Sequence, residues 1–288
     1  MAHAAPAGDG SPPRAAPPAT ARRHGLFDRA PLVARRHGLF DRAPLFMLEE
    51  SAERLMTHAP PYGFKFQSHR ADELKAKRAN ATLPAVHAWP SCAVVGSSGT
   101  LLHKSLGAEI DAHAAVFRVN SAPVTRYAKY AGARTTVRVI ASPHAASGTR
   151  FHEEARFPNA TVYVVCDRPF VYSCHNVLYA SRKPRWHQIN PFFYAAVRRH
   201  TDKRVRAIPL TGVVAVAAAV RQCGTVDVYG LSTMHSPRTT CSYYWECRRG
   251  KSDAWYHARP GDAAFHDFRG NAHTLLRWNA SGVIRIRT

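Results

Sequence analysis

Short apolar runs alternate with segments of helical spacing from about residue 91 to the end of the chain. This alternation is typical of α/β proteins, in which helices cover a mostly parallel sheet. Runs rich in branched and aromatic residues predict strands at Cys92–Val95, Thr135–Ile140, Thr161–Cys166, Val205–Ile208 and Val226–Leu231. The pattern therefore predicts an α/β domain over residues 91–288.

The segment between the last two predicted strands has a strong helical pattern. Gly212–Cys223 is rich in alanine and valine, and Gly224 follows it as a stop signal. Thr211 stands immediately before this segment, where a hydroxyl caps free backbone amides. We therefore expect a strand–helix–strand unit whose helix presents an N-terminus suited to an anion.

The first 46 residues have a different composition. Residues 1–20 are mostly alanine, proline and glycine, with too few branched apolar side chains to form a core. Ala21–Val33 is repeated as Ala34–Phe46 with only the last residue changed, and two copies are too few for a repeat architecture. We expect residues 1–46 to be disordered and residues 47–90 to form a linker and an N-terminal helical region.

The charge of the chain changes this picture by pointing to an anionic partner. The 288 residues carry 40 Lys and Arg against 19 Asp and Glu, a formal net charge of +21. A nucleic acid, an anionic membrane surface and a nucleotide sugar all fit such a surplus. We predict no nucleic-acid partner, because the sequence has no zinc spacing, recognition helix or basic run with interleaved aromatics. The longest strongly apolar run, Val213–Val220, is far shorter than the about 20 residues of a membrane helix, so we expect no membrane span in the chain as given.

Cysteines and glycosylation sequons bear on the cellular compartment. The cysteines stand at positions 92, 166, 174, 223, 241 and 247, without a C-x-x-C pair, so zinc-ribbon spacing is absent. Their count leaves disulfides and buried thiols equally open. Three asparagines begin N-glycosylation sequons and favour the secretory pathway: Asn80, Asn159 and Asn279.

A small polar loop follows the first predicted strand. Gly96-Ser97-Ser98-Gly99 lies between this strand and a predicted helix, where glycines allow backbone N–H groups to approach a phosphate and serines add hydroxyl donors. The loop matches neither the dinucleotide-binding pattern nor the P-loop. By itself it is interpreted as a tight turn, and the phosphate-binding alternative depends on further observations.

A pair of carboxylates raises the question of a metal. Glu109 and Asp111 have the spacing with which metal-dependent glycosyltransferases hold a divalent ion. The pair stands within an amphipathic stretch and has no second carboxylate cluster nearby. We interpret both residues as structural and predict no metal site.

Four segments carry residue combinations that are specific when taken together. The first, residues 92–140, contains Gly107, Glu109, Ile110, Asp111, His113, Val116, Arg118, Asn120, Ala122, Pro123, Gly132, Thr135 and Thr136. The others are Pro209–Gly230, Tyr243–Glu246 and a segment beginning at His266. In this order they resemble the large, small, third and very small sialylmotifs of the eukaryotic sialyltransferase family. The resemblance covers roughly residues 92–140 and 209–284.

The resemblance implies a fold and an activity. The fold is a Rossmann-like, seven-stranded variant of the GT-A glycosyltransferase fold, with residues 91–288 as the catalytic domain. The activity is transfer of sialic acid from CMP-sialic acid to a hydroxyl of a glycan acceptor, with inversion and without metal or other cofactor. The resemblance also implies a location in the Golgi lumen.

Carried over residue by residue, the resemblance also implies a site. The family's catalytic base falls on His266, and imidazole titrates near pH 6.5, which suits a general base at neutral pH. A disulfide between the large and small motifs falls on Cys92 and Cys223, while local pairing of Cys241 with Cys247 and of Cys166 with Cys174 stays open. The donor-binding positions are Ser97, Ser98, Gly99, Asn120, Thr211 and Gly212, with Tyr243 or Tyr244 near the phosphate. We expect these segments to meet at the carboxyl ends of the parallel strands.

The chain departs from the family pattern in three places. Much of the family has Asn at the position of Ser97. The very small motif has Glu five residues after its His, and this chain has Asn271 there. Family members also have an N-terminal membrane helix, of which this sequence shows no sign.

Two alternative functions follow from these observations. The motifs contact the nucleotide, so another CMP-activated acid, such as 3-deoxy-manno-octulosonate, is an alternative donor, as in the sialyltransferase-like proteins of plants and algae. Loss of the motif carboxylate also leaves open a catalytically silent nucleotide-binding homologue. CMP release with different donors distinguishes these alternatives.

Overall fold

Within the described residues, seven strands form one parallel sheet. The structure, a computed structural model, describes residues 43–57, 71–85, 88–141, 159–166, 185–201, 208–231, 241, 243–247 and 266–287. The strands are β1 (Trp89–Val95), β2 (Ala115–Val119), β3 (Val137–Ala141), β4 (Thr161–Val165), β5 (Trp186–Gln188), β6 (Cys223–Tyr229) and β7 (Arg285–Arg287). They are arranged in the order β5-β4-β3-β2-β1-β6-β7, so the direction of winding changes between β1 and β6. Ligands of open α/β sheets bind at the carboxyl edge beside such a change.

Seven helices connect or cover these strands in the described part of the chain. They are α1 (Ala52–Met56), α2 (Ala71–Asn80), α3 (Gly107–Asp111), α4 (Ala128–Ala131), α5 (Pro191–Thr201), α6 (Thr211–Gln222) and α7 (Phe268–Ala280). Two short 3₁₀ helices lie at Met47–Glu49 and Gly99–His103. No helix among the described residues is long and apolar enough to cross a membrane.

Helix α6 is the central helix of the fold. All its residues except Thr211 and Arg221 are buried, because it packs on β1, β2 and β3 and also contacts α5. Its alanines and valines form part of the main core with alternate residues of the strands, such as Cys92, Val94 and Phe117. A helix that is buried on more than one side needs apolar residues on all of these sides, and this helix has them.

The predicted α/β class is confirmed, while the strand assignments are partly right. Four predicted strands overlap β1, β3, β4 and β6. Strand β2 was not predicted, because the buried Arg118 interrupts its apolar run, and β5 and β7 are only three residues each. The strand predicted at Val205–Ile208 is wrong at Ile208, which lies in no strand, and residues 205–207 lie outside the described residues.

The prediction of Thr211 as an N-cap is wrong. Thr211 is the first residue of α6, and Leu210 is the N-cap, without a side-chain capping bond. The backbone N–H of Leu210 donates to Oδ1 of Asn271 over 3.0 Å. A tertiary contact with α7 therefore holds the N-cap residue that immediately precedes α6.

The packed region begins before residue 47. Phe46 forms an isolated antiparallel bridge with Ile189, and its buried ring lies 4.9 Å from the ring of Tyr163. Met47 and Leu55 form a smaller apolar cluster with α2 and the end of β4. The rest of the segment predicted to be disordered, residues 1–42, lies outside the described residues.

The predicted disulfide between the large and small motifs is confirmed. Cys92 and Cys223 are joined, with their Cα atoms 6.0 Å apart, and the bond links neighbouring strands β1 and β6. A second disulfide joins Cys241 to Cys247. Cys166 is buried at the end of β4, and its suggested partner Cys174 lies outside the described residues.

A buried histidine lies in the core beside β4. The ring centre of His187 lies 5.3 Å from that of Phe46 and 6.4 Å from that of Tyr163, and no described residue bonds its Nδ1. Burial lowers the pKa of His187 to about 4. The side chain is therefore neutral in the folded protein over a pH range in which the unfolded chain becomes protonated.

Breaking the long-range disulfide is expected to destabilise the protein. The bond closes a loop with a sequence separation of 131, so Cys92→Ala with Cys223→Ala should lower the free energy of unfolding by about 5 kcal/mol on chain entropy. Denaturant titration measures this loss. The double variant Cys241→Ala with Cys247→Ala opens a loop with a sequence separation of only 6. Its free energy of unfolding should therefore fall by less. Equal losses would contradict the entropic explanation.

The buried histidine should make the fold sensitive to acid. Because the folded pKa of His187 lies below the unfolded value, the unfolded chain binds an extra proton between about pH 6.5 and pH 4. The free energy of unfolding should therefore fall by about 3 kcal/mol as the pH is lowered from about 6.5 to about 4. Denaturant titrations at several pH values measure the slope. His187→Leu should reduce it, whereas replacement of the exposed His273 by Ala should leave it unchanged.

Candidate active site

The loop after β1 is held by backbone hydrogen bonds at the carboxyl edge of the sheet. The Gly96 N–H donates to Tyr229 O over 2.7 Å, and the Ser98 N–H donates to Gly230 O over 3.0 Å. The Gly99 N–H donates to Cys241 O over 2.8 Å. These amides hold the loop in place, as in a tight turn, and a phosphate would therefore meet other donors. The half-buried Ser97 lies in the same loop.

Glycines in this region permit close approach of neighbouring segments. A Cβ atom on Gly99 would lie 2.5 Å from Cys241 O. A Cβ on Gly212 would lie 2.6 Å from Leu231 Cδ2, and a Cβ on Gly96 would lie 2.5 Å from the same methyl group. Leu231 therefore contacts both the loop after β1 and the first turn of α6. The two predicted donor segments, Ser97–Gly99 and Thr211–Gly212, are neighbours at this edge.

Asn120 follows β2 at the same edge and has a left-handed backbone. Its φ of 49° is in the region that asparagine tolerates better than most residues. The Asn120 N–H donates to Val139 O over 2.8 Å, and Oδ1 accepts from the Ala141 N–H over 3.1 Å. Nη1 of Arg138 donates to the Asn120 carbonyl over 2.6 Å. These contacts fix the side-chain amide, and no described residue accepts from its Nδ2 donors.

The two tyrosines of the third motif have different environments. Tyr244 is buried, and its hydroxyl donates to Pro123 O over 2.5 Å. Its backbone N–H donates to Ser97 O over 2.9 Å, so Tyr244 links the loop after β1 to the segment after Asn120. Tyr243 is half-buried, with its ring stacked 4.6 Å from that of Trp245. The single hydroxyl proton of Tyr244 is therefore used within the protein.

His266 lies immediately before the N-cap of α7. Its Nδ1 is 3.1 Å from Ile208 O. A carbonyl oxygen can only accept, so Nδ1 carries the proton and donates it. In the neutral ring, Nε2 is then the basic nitrogen.

Asn271 lies one turn further along α7 and binds the same segment. Its buried side chain accepts from the Leu210 N–H over 3.0 Å through Oδ1 and donates to Asp267 O over 2.7 Å through Nδ2. Together with the bond from His266 to Ile208, this contact fixes both ends of residues 208–210. The first turn of α7 is thereby held beside the first turn of α6.

A family model described as Glycosyltransferase family 29 (sialyltransferase) matches residues 47–170 and 167–282. The chain belongs to glycosyltransferase family 29. The match extends the resemblance to residues 47–91 and 141–208, beyond the sialylmotifs. The combination of motifs, rather than any one of them, was therefore a sound indication of this family.

Curated family 29 relatives match about half of the chain. Beta-galactoside alpha-2,6-sialyltransferase 2 of Xenopus tropicalis is 27% identical over 179 residues, which cover 55% of this chain and 35% of the relative. Beta-galactoside alpha-2,6-sialyltransferase 1 of Homo sapiens is 28% identical over 186 residues, covering 54% of this chain and 43% of the relative. The matched part of the chain thus corresponds to between a third and a half of these proteins.

Solved structures support the same fold. A crystal structure of a mammalian sialyltransferase superposes with a TM-score of 0.62 at 18% identity, covering 88% of this chain and 94% of the other. A structure of a mammalian sialyltransferase in complex with Gal-beta-1-3GalNAc-ortho-nitrophenol gives 0.61 at 19% identity, covering 88% and 95%. The predicted Rossmann-like variant of the GT-A fold is confirmed.

Glu109 and Asp111, the two carboxylates considered above as metal ligands, both accept hydrogen bonds from other groups of the protein. Oε1 of Glu109 accepts from the Tyr229 hydroxyl over 2.9 Å and from Arg287 Nε over 3.0 Å. Asp111 accepts from the backbone N–H groups of Ala133 and Arg134 over 2.7 and 2.9 Å. Among the described residues, no group of three His, Cys, Asp or Glu is placed to hold a metal ion.

Sequence reasoning missed a buried ionic cluster around Asp227. Arg285 on β7 donates to both carboxylate oxygens over 2.6 and 2.7 Å, and Nε2 of His113 lies 2.9 Å from Oδ2. The hydrogen bond to Asp227 raises the pKa of His113, against the opposing effect of burial. Burial alone would raise the pKa of Asp227, but bonds from His113 and Arg285 hold it below its usual value. The one available signal was a lone Asp within the apolar run of β6.

The predicted glycosylation sites all lie on the surface. Asn80 ends α2, Asn159 precedes β4 and Asn279 lies in the last turn of α7, and each is exposed. These positions are accessible to modification, as glycosylation requires.

Enlarging Gly99 should displace the segment that carries the third motif. The Cβ of Gly99→Ala would meet a backbone carbonyl, which cannot rotate away as a side chain can. We expect the free energy of unfolding to fall by about 2 kcal/mol, the typical cost of overpacking. Denaturant titration measures this change. The neighbouring Thr100→Ala, which removes only a hydroxyl contact with Ser98, should cost no more than about 1 kcal/mol. A Gly99→Ala protein as stable as wild type would contradict the proposed close contact.

Proposed function

We propose that the protein transfers sialic acid from CMP-sialic acid to a hydroxyl of a glycan acceptor, with inversion, without a metal, and with His266 as general base. The observation that carries this proposal is the bond from His266 Nδ1 to Ile208 O in a family 29 chain. It selects the tautomer in which Nε2 accepts a proton. It also keeps the ring beside the N-terminus of α6, which attracts anions.

The donor nucleotide and its phosphate would lie at the carboxyl edge of the sheet. Nδ2 of Asn120 would donate to the nucleotide, while Ser97 and Tyr243 supply hydroxyl donors nearby. Ser98 and Gly99 would support this side of the site by shaping its loop. The first turn of α6, at Thr211 and Gly212, would face the phosphate charge with its backbone amides. The net charge of +21 favours such an anionic donor.

The proposed reaction is a single displacement at the anomeric carbon of the donor. The acceptor oxygen forms a bond to this carbon as the bond to the phosphate oxygen of CMP breaks. Nε2 of His266 takes the proton of the acceptor hydroxyl, and the departing CMP keeps the electron pair of the broken bond. Because attack and departure occur on opposite faces, the configuration inverts. CMP leaves as a stable phosphate monoester, so the protein's tasks are to stabilise charge and remove one proton.

The bond to Ile208 would assist this proton transfer. After Nε2 is protonated, the ring is an imidazolium whose Nδ1–H still donates to a carbonyl dipole. The contact therefore orients the base before the reaction and keeps the same partner after Nε2 is protonated. We also propose the Golgi lumen as the compartment, with glycans on Asn80, Asn159 and Asn279.

A second candidate differs only in the sugar acid. The residues assigned to the donor contact its nucleotide and phosphate, and these groups are shared by all CMP-activated acids. CMP-activated 3-deoxy-manno-octulosonate is therefore the alternative donor to compare with CMP-sialic acid. A silent nucleotide-binding homologue would bind CMP and release none from either donor.

Mutation should separate binding from chemistry. His266→Ala should lower kcat by about 10²–10⁴-fold, the usual contribution of a general base, with little change in CMP affinity. Asn120→Gly should weaken CMP binding by about tenfold, because it removes the amide donors while glycine retains the left-handed backbone. CMP release and calorimetric titration with CMP measure the two effects.

Two outcomes would contradict the proposed function or its general base. Undiminished transfer by His266→Ala would rule out the proposed base. Wild-type protein that binds CMP but transfers no CMP-activated acid to any tested glycan would favour the silent homologue.

A further inference from the structure

We propose that Asn271 is a positioning residue whose neutral amide aligns His266 with the first turn of α6. The inference rests on the proposed role of His266 as general base. Asn271 is buried, and its two polar atoms bond to two different segments. It does not itself contact the reacting atoms in this proposal.

The alignment depends on a short segment held from two points. His266 bonds the carbonyl of Ile208, and Asn271 bonds the N–H of Leu210 two residues later. The carbonyl of Leu210 in turn accepts from the N–H groups of Val213 and Val214 in the first turn of α6. A chain of hydrogen bonds therefore runs from the base, through residues 208–210, to the helix end proposed to face the phosphate.

The chemistry of this contact requires a neutral amide. Oδ1 of Asn271 accepts from Leu210 while Nδ2 donates to the carbonyl of Asp267 over 2.7 Å. A carboxylate would place an oxygen where Nδ2 now donates, facing another oxygen at hydrogen-bond distance. It would also be a buried anion in the same helical turn as the carboxylate of Asp267, which caps α7 by accepting from Gly270. Asn271 thus makes two bonds of which a carboxylate can make one.

A second buried polar residue in α7 provides a matched control. The hydroxyl oxygen of Thr274 lies 3.0 Å from His200 O and 2.9 Å from Gly270 O, and the two carbonyls share its single proton. It joins α7 to the end of α5, and it does not bond residues 208–210. Loss of this hydroxyl should destabilise α7 without changing the alignment of His266.

The test compares Asn271→Asp, Asn271→Ala and Thr274→Val with wild type at a temperature where all are folded. We expect both Asn271 variants to lower kcat by about 10- to 100-fold while CMP affinity changes by less than about 3-fold. Amide hydrogen exchange at Leu210 should become about tenfold faster or more in Asn271→Ala, which removes the acceptor of this N–H. Thr274→Val should keep kcat within about 2-fold of wild type, even if its melting temperature falls as much as that of the Asn271 variants.

The outcomes distinguish this proposal from the proposed function. Wild-type kcat in Asn271→Ala, equal loss of kcat in Thr274→Val, or CMP affinity that falls in parallel with kcat would each overturn the positioning role. If the wild-type enzyme transfers none of the CMP-activated acids, the proposed function fails. Exchange at Leu210 then still decides whether Asn271 holds the segment, and unchanged exchange in Asn271→Ala overturns the contact itself.

Discussion

Strands β1 and β6 pair in parallel at the point where the winding of the sheet changes direction, and the other parts of the site depend on this pairing. The register runs from Trp89 opposite Cys223 to Val95 opposite Tyr229, and a disulfide joins Cys92, in the middle of β1, to Cys223, the first residue of β6. At the other end, Gly96 and Ser98 donate to the carbonyls of Tyr229 and Gly230. The loop after β1 thus has its position set by β6. A loop placed by backbone bonds is better defined than one placed by flexible side chains, as precise ligand binding requires.

Charge is used in two distinct ways around this pair of strands. On β6, Asp227 is neutralised by Arg285 and His113, and this cluster ties the C-terminal strand β7 to the sheet. At the carboxyl edge, the proposed site combines Asn120, the start of α6 and His266, and the described residues place no buried carboxylate among them. The first arrangement stabilises the protein and the second suits an anionic ligand. The two buried histidines differ accordingly, because a carboxylate partner raises the pKa of His113 while burial alone lowers that of His187.

Asn271 shows how a departure from a family pattern gains meaning from its surroundings. In the sequence it is only an amide where relatives of this motif type have a carboxylate. In the structure its two polar atoms bond Leu210 and Asp267, so the neutral side chain is matched to its partners. The substitution therefore does not by itself indicate loss of activity.

The sequence alone determined the class of fold, the family and the long-range disulfide, and it supplied the candidate site residues, whose roles stay predictions. Apolar runs indicate which segments are buried, and specific combinations of motifs indicate the family. Both can be identified from the sequence without a structure. It missed β2, because Arg118 is buried within it and local patterning treats a charge as exposed. It also misplaced the N-cap at Thr211, because the N-cap is Leu210, which is held by a contact with Asn271, 61 residues further along the chain. The buried hydroxyl bond of Tyr244, the tautomer of His266 and the cluster around Asp227 all depend on partners distant in sequence. Only the tertiary structure brings such partners within hydrogen-bond distance.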